Sequence, residues 1–264
     1  MSNPRLPAET LDHIVDFLHD SKHALRSCCL VSKSWIPRVQ SHLFADISFR
    51  TKKDVELWRG AFPDPSTSPA HYTKTLYVDC TDIVADPEVG GWLGGFSRVV
   101  QLRLGSRGLL LLEVSFIQFH GFSPIKSLHV DSNVPPSSQL LHLILSFPLL
   151  EDLTVDACLG PVSIGGVSNE PQIVSRPSNS PACTGSLVLS RRAIEPFARQ
   201  LLSLPGGIHF RKLDLSWSHE GELSLAMALV EECSCTLEYL NSSCVPHRAS
   251  RSASAPLQIP YLRF

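Results

Sequence analysis

No excess of charge of either sign marks this chain: 23 Lys and Arg stand against 25 Asp and Glu, for a formal net charge of -2. The first fifty residues set Arg5, Lys22, Arg26, Lys33, Arg38 and Arg50 against Glu9, Asp12, Asp16, Asp20 and Asp46, so no basic stripe forms. Nucleic acid, which is held through such a stripe, is not an expected partner. Long apolar runs are also missing. The greasiest, Leu109–Leu112, stops at Glu113, far short of the ~20 residues that cross a bilayer. A membrane is therefore not expected either. Residues 1–20 hold four acids and no continuous apolar core, which is not how a secretory signal reads. The eight cysteines (28, 29, 80, 158, 183, 233, 235 and 244) keep no disulfide rhythm. Together these features point to a reducing cytoplasmic or nuclear compartment.

Catalytic signatures are lacking as well. There is no Gly-x-Ser-x-Gly elbow, phosphate loop, His-Glu-x-x-His or dinucleotide fingerprint. Gly90-Gly91 and Gly94-Gly95 flank Trp92-Leu93 without the strand and helix that a phosphate site needs. Eleven histidines have no carboxylate at a defined spacing. One cluster, Cys233-x-Cys235…Cys244-x-x-His247, has metal-like spacing. Its first two cysteines close a predicted helix just ahead of a strand, where small buried residues pack. The expectation is a non-catalytic chain with no metal and no cofactor.

What the chain does have is a patterned N-terminus. Leu11, Ile14, Val15 and Leu18 fall at i, i+3, i+4 and i+7, one stripe of a helix that Pro7 would introduce. Ala24, Leu25, Cys28 and Cys29 make a second short group, followed by Leu30-Val31; Trp35, Val39, Leu43 and Phe44 make a third. Ser34 as N-cap would place Pro37 in the first turn, where its missing N–H costs nothing. Three helices this short bury too little to stand alone. They are expected to lean on the next domain, on a partner, or on both. Ile14, Val15 and Cys29 suit a core, whereas Leu6 and Pro7 precede the helix and suit a partner.

Taken in order, Leu6-Pro7-Ala8-Glu9, then Leu11, Ile14 and Leu18, then Leu25, Leu30, Val31 and Trp35, and finally Leu43-Phe44 resemble the F-box. The resemblance implies docking on the Skp adaptor of a cullin–RING ubiquitin ligase. Leu6, Pro7, Leu18, Leu25, Leu30, Val31 and Trp35 are the contacts it points to. The rest of the chain would then hold a protein substrate.

Beyond Phe44 a repeat takes over. Apolar-x-apolar cores begin at Ile47, Leu76, Leu102, Leu128, Leu153, Leu187 and Leu213, with a weaker one at Leu240. Their spacings are 29, 26, 26, 25, 34, 26 and 27, a leucine-rich-repeat period. Two copies extend further, to Asn133 and Cys158. The chain thus also resembles leucine-rich-repeat F-box proteins. Its expected fold is α/β: a three-helix F-box-like cap over 1–45, then an irregular leucine-rich-repeat-like solenoid of short parallel strands alternating with helices and loops over 46–245. Helices are expected at 53–62, 137–146, 191–203 (beginning near Glu195) and 221–232. The segments 82–98 and 105–122 are expected to be irregular. A Pro/Gly/Ser-rich insertion at about 160–185 explains the spacing of 34. Residues 246–264, with three Arg and no acid, are expected to be a disordered tail after a last repeat without a polar cap, as if frayed or cut short.

Side chains alternate along a strand, so the residues between the buried anchors share the open face of the sheet. They are Tyr77, Arg103, His129, Thr154, Val188 and Asp214, with Asp79, Asp131, Asp156 and Ser216 beside them. Tyr77, Arg103, His129, Asp131, Thr154 and Asp214 are the expected substrate contacts. Mixed aromatic, basic and acidic groups suit a protein or peptide. Two other readings stay open: an interaction module outside any ligase, and a truncated inactive relative.

Overall fold

The computed structural model describes residues 7–64, 67–79, 93, 95–106, 124–132, 143–157, 183–191, 194–204, 206–217 and 220–244. Leu6, Cys80, Asn133, Cys158, His247 and the tail 246–264 lie outside them. So do residues 137–142 of an expected helix, and most of the segments 82–98, 105–122 and 160–185.

The chain opens with helices α1 (Ala8–Phe17), α2 (Lys22–Val31) and α3 (Ile36–Leu43). Pro7 is the N-cap of α1, and its carbonyl accepts from the N–H groups of Thr10 and Leu11. Ser21 Oγ accepts from the Ala24 N–H at the start of α2. Ahead of α3 the cap is Ser32 and not Ser34. Ser32 Oγ accepts from the Ser34 N–H and opens a 3-10 turn, Lys33–Trp35, that runs into α3. Pro37 sits in the first turn of α3, as expected. Val15, Leu25, Cys28 and Val39 form a small core, with Leu18, Cys29, Trp35 and Leu43 against it. A carboxylate also ties α1 to α3. Asp16 accepts two bonds from the Arg38 guanidinium (2.6 and 2.5 Å) and one from His42 Nε2 (2.8 Å). Arg38 and then His42 hold the Asp16 carboxyl far below the usual carboxylate range. The stabilisation that this shift represents is complete above the ordinary carboxylate value of 3.8 and is lost progressively as pH falls below it.

Eight strands follow among the described residues: β1 (Asp46–Phe49), β2 (Thr75–Asp79), β3 (Gln101–Ser106), β4 (Ser127–Ser132), β5 (Asp152–Ala157), β6 (Ser186–Arg191), β7 (Lys212–Trp217) and β8 (Tyr239–Cys244). They form one parallel sheet in which spatial order is chain order. The predicted anchors meet in register: Ile47, Leu76, Leu102, Leu128, Leu153, Leu187, Leu213 and Leu240 are successive partners. A repeated hydrogen-bond device sets that register. The Ala45 carbonyl accepts from the N–H groups of Lys74 and Thr75, Lys74 from Val100 and Gln101, Val100 from Lys126 and Ser127, and Lys126 from Glu151 and Asp152. Gly185 and Arg211 repeat it ahead of β7 and β8. One carbonyl with two lone pairs thus fixes where β2, β3, β4, β5, β7 and β8 begin, whereas at β6 the Ser186 N–H donates to the Asp152 carboxylate.

Among the described residues the longer helices between strands are α4 (Lys52–Ala61), α5 (Ile194–Leu202) and α6 (Glu220–Glu232), close to the predicted spans, and residues 143–145 are helical. Helix α4 carries a capping box. Thr51 Oγ1 accepts from the Asp54 N–H while the Asp54 carboxylate takes the Thr51 N–H. One face of the sheet is dry. Leu76, Val78, Leu102, Leu104, Leu128, Val130, Leu153, Val155, Leu187, Leu189, Leu213 and Leu215 are buried there with Phe96, Phe147, Phe197 and Phe210. The helical trio leans on this body, as its size required. Phe44, just past α3, packs edge-on against Trp58 and Phe62, at 5.8 and 6.1 Å between ring centroids.

Candidate functional site

Two surfaces bring expected site residues together. The first is on the helical trio. Helix α2 ends with Leu30 89% exposed and Val31 70% exposed, and α1 ends with Phe17 88% exposed. Pro7 is exposed at the head of α1. Three such large apolar groups left in water near the ends of short helices are a feature to explain, because the same trio buries other side chains completely.

The remaining expected contacts divide differently. Leu25 is fully buried, and with Val15, Cys28 and Val39 it makes the core. Its reading as a partner contact therefore gives way to a packing role. Leu18 and Trp35 are half-buried against the same core, and the Trp35 indole N–H is buried without an acceptor. Conversely Ile14, expected in the core, is 41% exposed. Phe17 was not among the expected contacts. Its signal is in the sequence, since it lies at i+3 from Ile14 on α1, but it falls outside the stripe of Leu11, Ile14, Val15 and Leu18.

The second surface is the open face of the sheet. Tyr77, Arg103, His129, Thr154, Val188 and Asp214 are successive register partners across β2 to β7. Arg103 is exposed, and Tyr77, His129, Thr154 and Asp214 are half-buried. Alongside runs a second row, Asp79, Gly105, Asp131, Asp156 and Ser190, in which Asp131 is exposed. Gly105 matters to both rows. A Cβ there would lie 2.8 Å from Tyr77 Cζ and overlap the phenol oxygen. The Tyr77 hydroxyl thus occupies the place of a side chain at 105, and a larger residue would displace it.

Burial first, and the Arg103 charge second, hold His129 below its ordinary value of 6.5, with Asp131 and Asp156 acting in opposition. A depressed histidine favours folding above the unfolded-state value and withdraws that support as pH falls through it, because the unfolded chain then binds the proton more readily. Urea unfolding at pH 7.5 and pH 5.5 (~1 unit either side of that value) will show the wild type losing more stability on acidification than His129→Gln. An equal loss in both would show that the ring's surroundings do not matter.

The cysteine cluster is split by burial: Cys233 is buried, while Cys235 and Cys244 are exposed. Cys233 Sγ lies 3.8 Å from the Ile208 carbonyl oxygen. Burial raises its thiol, and it pushes the Cys183 thiol up to about 11, there with a smaller contribution from Cys233. Among the described residues no group of three or more His, Cys, Asp or Glu is placed to hold a metal ion, and no helix is long and apolar enough to cross a membrane. Comparison with family models, with curated proteins and with solved structures finds no match to this chain.

Proposed function

We propose that this chain is a substrate-recognition adaptor of a Skp–cullin–F-box ubiquitin ligase. In this reading the helical trio is an F-box that docks on the Skp adaptor. The sequential sheet is a leucine-rich-repeat-like solenoid that holds a protein substrate on its open face. The observation that carries the reading is the uncovered end of α2, Leu30 and Val31, on a trio whose own core is already closed. Apolar anchors presented from a short helix are the currency of helix-in-groove recognition. Leu30, Val31 and Trp35 are also positions at which the sequence matches the F-box pattern.

The adaptor supplies no catalytic group. It works by proximity, holding a substrate where a recruited ubiquitin-conjugating enzyme reaches its lysines, which raises their effective concentration. Cytoplasm and nucleus are the compartments in which such an assembly works. Co-expression of the tagged chain with the Skp adaptor and a cullin tests the reading, with recovery of both expected. Recovery of neither would overturn it. Recovery of the Skp adaptor alone would leave an interaction module outside any ligase.

A further inference from the structure

We propose that Ser254 is a phosphorylation site, and that the segment 251–256, once phosphorylated, is held by a phosphoserine-binding protein of the 14-3-3 class. The segment reads Arg251-Ser252-Ala253-Ser254-Ala255-Pro256. Kinases choose substrates partly by charge pattern, and an arginine three residues ahead of the serine is a pattern that basic-directed kinases read. That spacing occurs at three places in the chain: Arg38 and Ser41, Arg103 and Ser106, Arg251 and Ser254. The fold withdraws the first two. Ser41 lies in α3 with its hydroxyl donating to the Arg38 carbonyl at 2.7 Å, and the Arg38 guanidinium is taken up by Asp16. Arg103 and Ser106 lie in β3, which pairs with β2 on one side and β4 on the other. A kinase cleft takes its acceptor from an extended, unpaired segment, so either site would first have to unfold locally. Ser254 lies outside the described residues, in a stretch whose Ser, Ala and Pro content predicts no folded element. Of the three serines it alone is followed, two residues on, by proline.

In the transfer, Ser254 Oγ attacks the γ-phosphorus of ATP held by the kinase. The bond from that phosphorus to the bridging oxygen breaks, ADP leaves, and the hydroxyl proton passes to the kinase's catalytic aspartate. The product carries a charge of about −1.5 to −2 at neutral pH and three strong acceptor oxygens. An arginine cluster grips such a group through charge-assisted, bidentate hydrogen bonds. The flanking residues suit the same partner. Residues 245–264 hold no acid, so no carboxylate near in sequence repels the phosphate or competes for the partner's arginines. Ala255 precedes a proline, which biases it to extended backbone, the form a peptide groove accepts. Pro256 has no N–H to leave unpaired inside that groove, and its fixed φ gives the chain a defined way out.

The test treats the full chain with magnesium ATP and activated calcium/calmodulin-dependent protein kinase, a basic-directed enzyme. Tandem mass spectrometry then locates the phosphate, and biolayer interferometry reads binding to an immobilised 14-3-3 protein. Phosphate on Ser254 is expected, with binding that appears only after the kinase step and is removed by a phosphatase. Ser254→Ala should weaken that binding, and Arg251→Ala should slow phosphorylation of Ser254, each by about tenfold or more. Ser41→Ala should change neither. Phosphate confined to Ser250, Ser252 or the folded part of the chain would overturn the proposal. So would phosphorylated Ser254 that the 14-3-3 protein does not bind, or binding that survives Ser254→Ala. No ligase component enters the measurement, so failure of the Skp adaptor to bind would leave this result standing, and the reverse.

Discussion

If the helical trio docks on the Skp adaptor as proposed, Leu30→Asp/Val31→Asp will abolish recovery of that adaptor and leave the unfolding curve of the chain almost where it was. Both side chains already stand mostly in water, at 89% and 70% exposure, so the folded state gives up almost no packing when they change. The proposed complex would give up a great deal. Burying a leucine or valine fully contributes ~1.5–3 kcal/mol, so losing both removes about 3–6 kcal/mol, or roughly 10²–10⁴-fold in affinity. Two carboxylates pressed into an apolar groove add a desolvation cost on top. The contrast is Leu25→Asp in the same helix. Leu25 is fully buried in the trio's core, so a charge there will unfold the trio and remove binding only as a consequence. Pull-down paired with thermal melts separates the two cases. Undiminished recovery with the double aspartate variant would rule out this end of α2 as the docking surface.

Leu128→Ala is expected to cost about 2–5 kcal/mol, the range for truncating a buried leucine in a core that relaxes only in part. Leu128 is fully buried in β4, between Leu102 of β3 and Leu153 of β5 in register. Its cavity would open toward two neighbours that are pinned by their own ladder bonds, which limits collapse. Leu149→Ala, at a position 51% exposed, should stay within about 0.5 kcal/mol. Urea unfolding with midpoints and slopes compared would decide. Similar losses for the two variants would mean that burial on the dry face of the sheet does not describe where the stability lies.

The sheet was legible in the sequence because a strand that buries one face writes an apolar-x-apolar core, and each such core must align with the next. The wide gap between Leu153 and Leu187 did not disturb this, since the two anchors still pair directly. Helix spans over α4, α5 and α6 were legible for the same reason at the other period. Division of labour within the helical trio was not. An apolar stripe looks alike whether it meets its own core or another protein, so the stripe alone does not show that Leu25 is buried and Ile14 exposed. Only the crossing of three short helices decides which side of a stripe is covered. The Ser32 cap escaped because Ser32 and Ser34 are equally good candidates on paper. Thr51-Lys52-Lys53-Asp54 has the spacing of a capping box in the sequence itself, and the structure forms it. The meeting of Tyr77 with Gly105 joins residues on different strands through a side-chain tilt that no spacing encodes.

A ladder whose rungs follow one another in chain order also has a mechanical consequence. Load applied through the last residues of β8 reaches the bonds between β8 and β7 before any others, and each rung must part before the next is strained. The chain would come away like a zip, in a series of small yields, where a sheet of shuffled order would share the pull among distant rungs and give way at once.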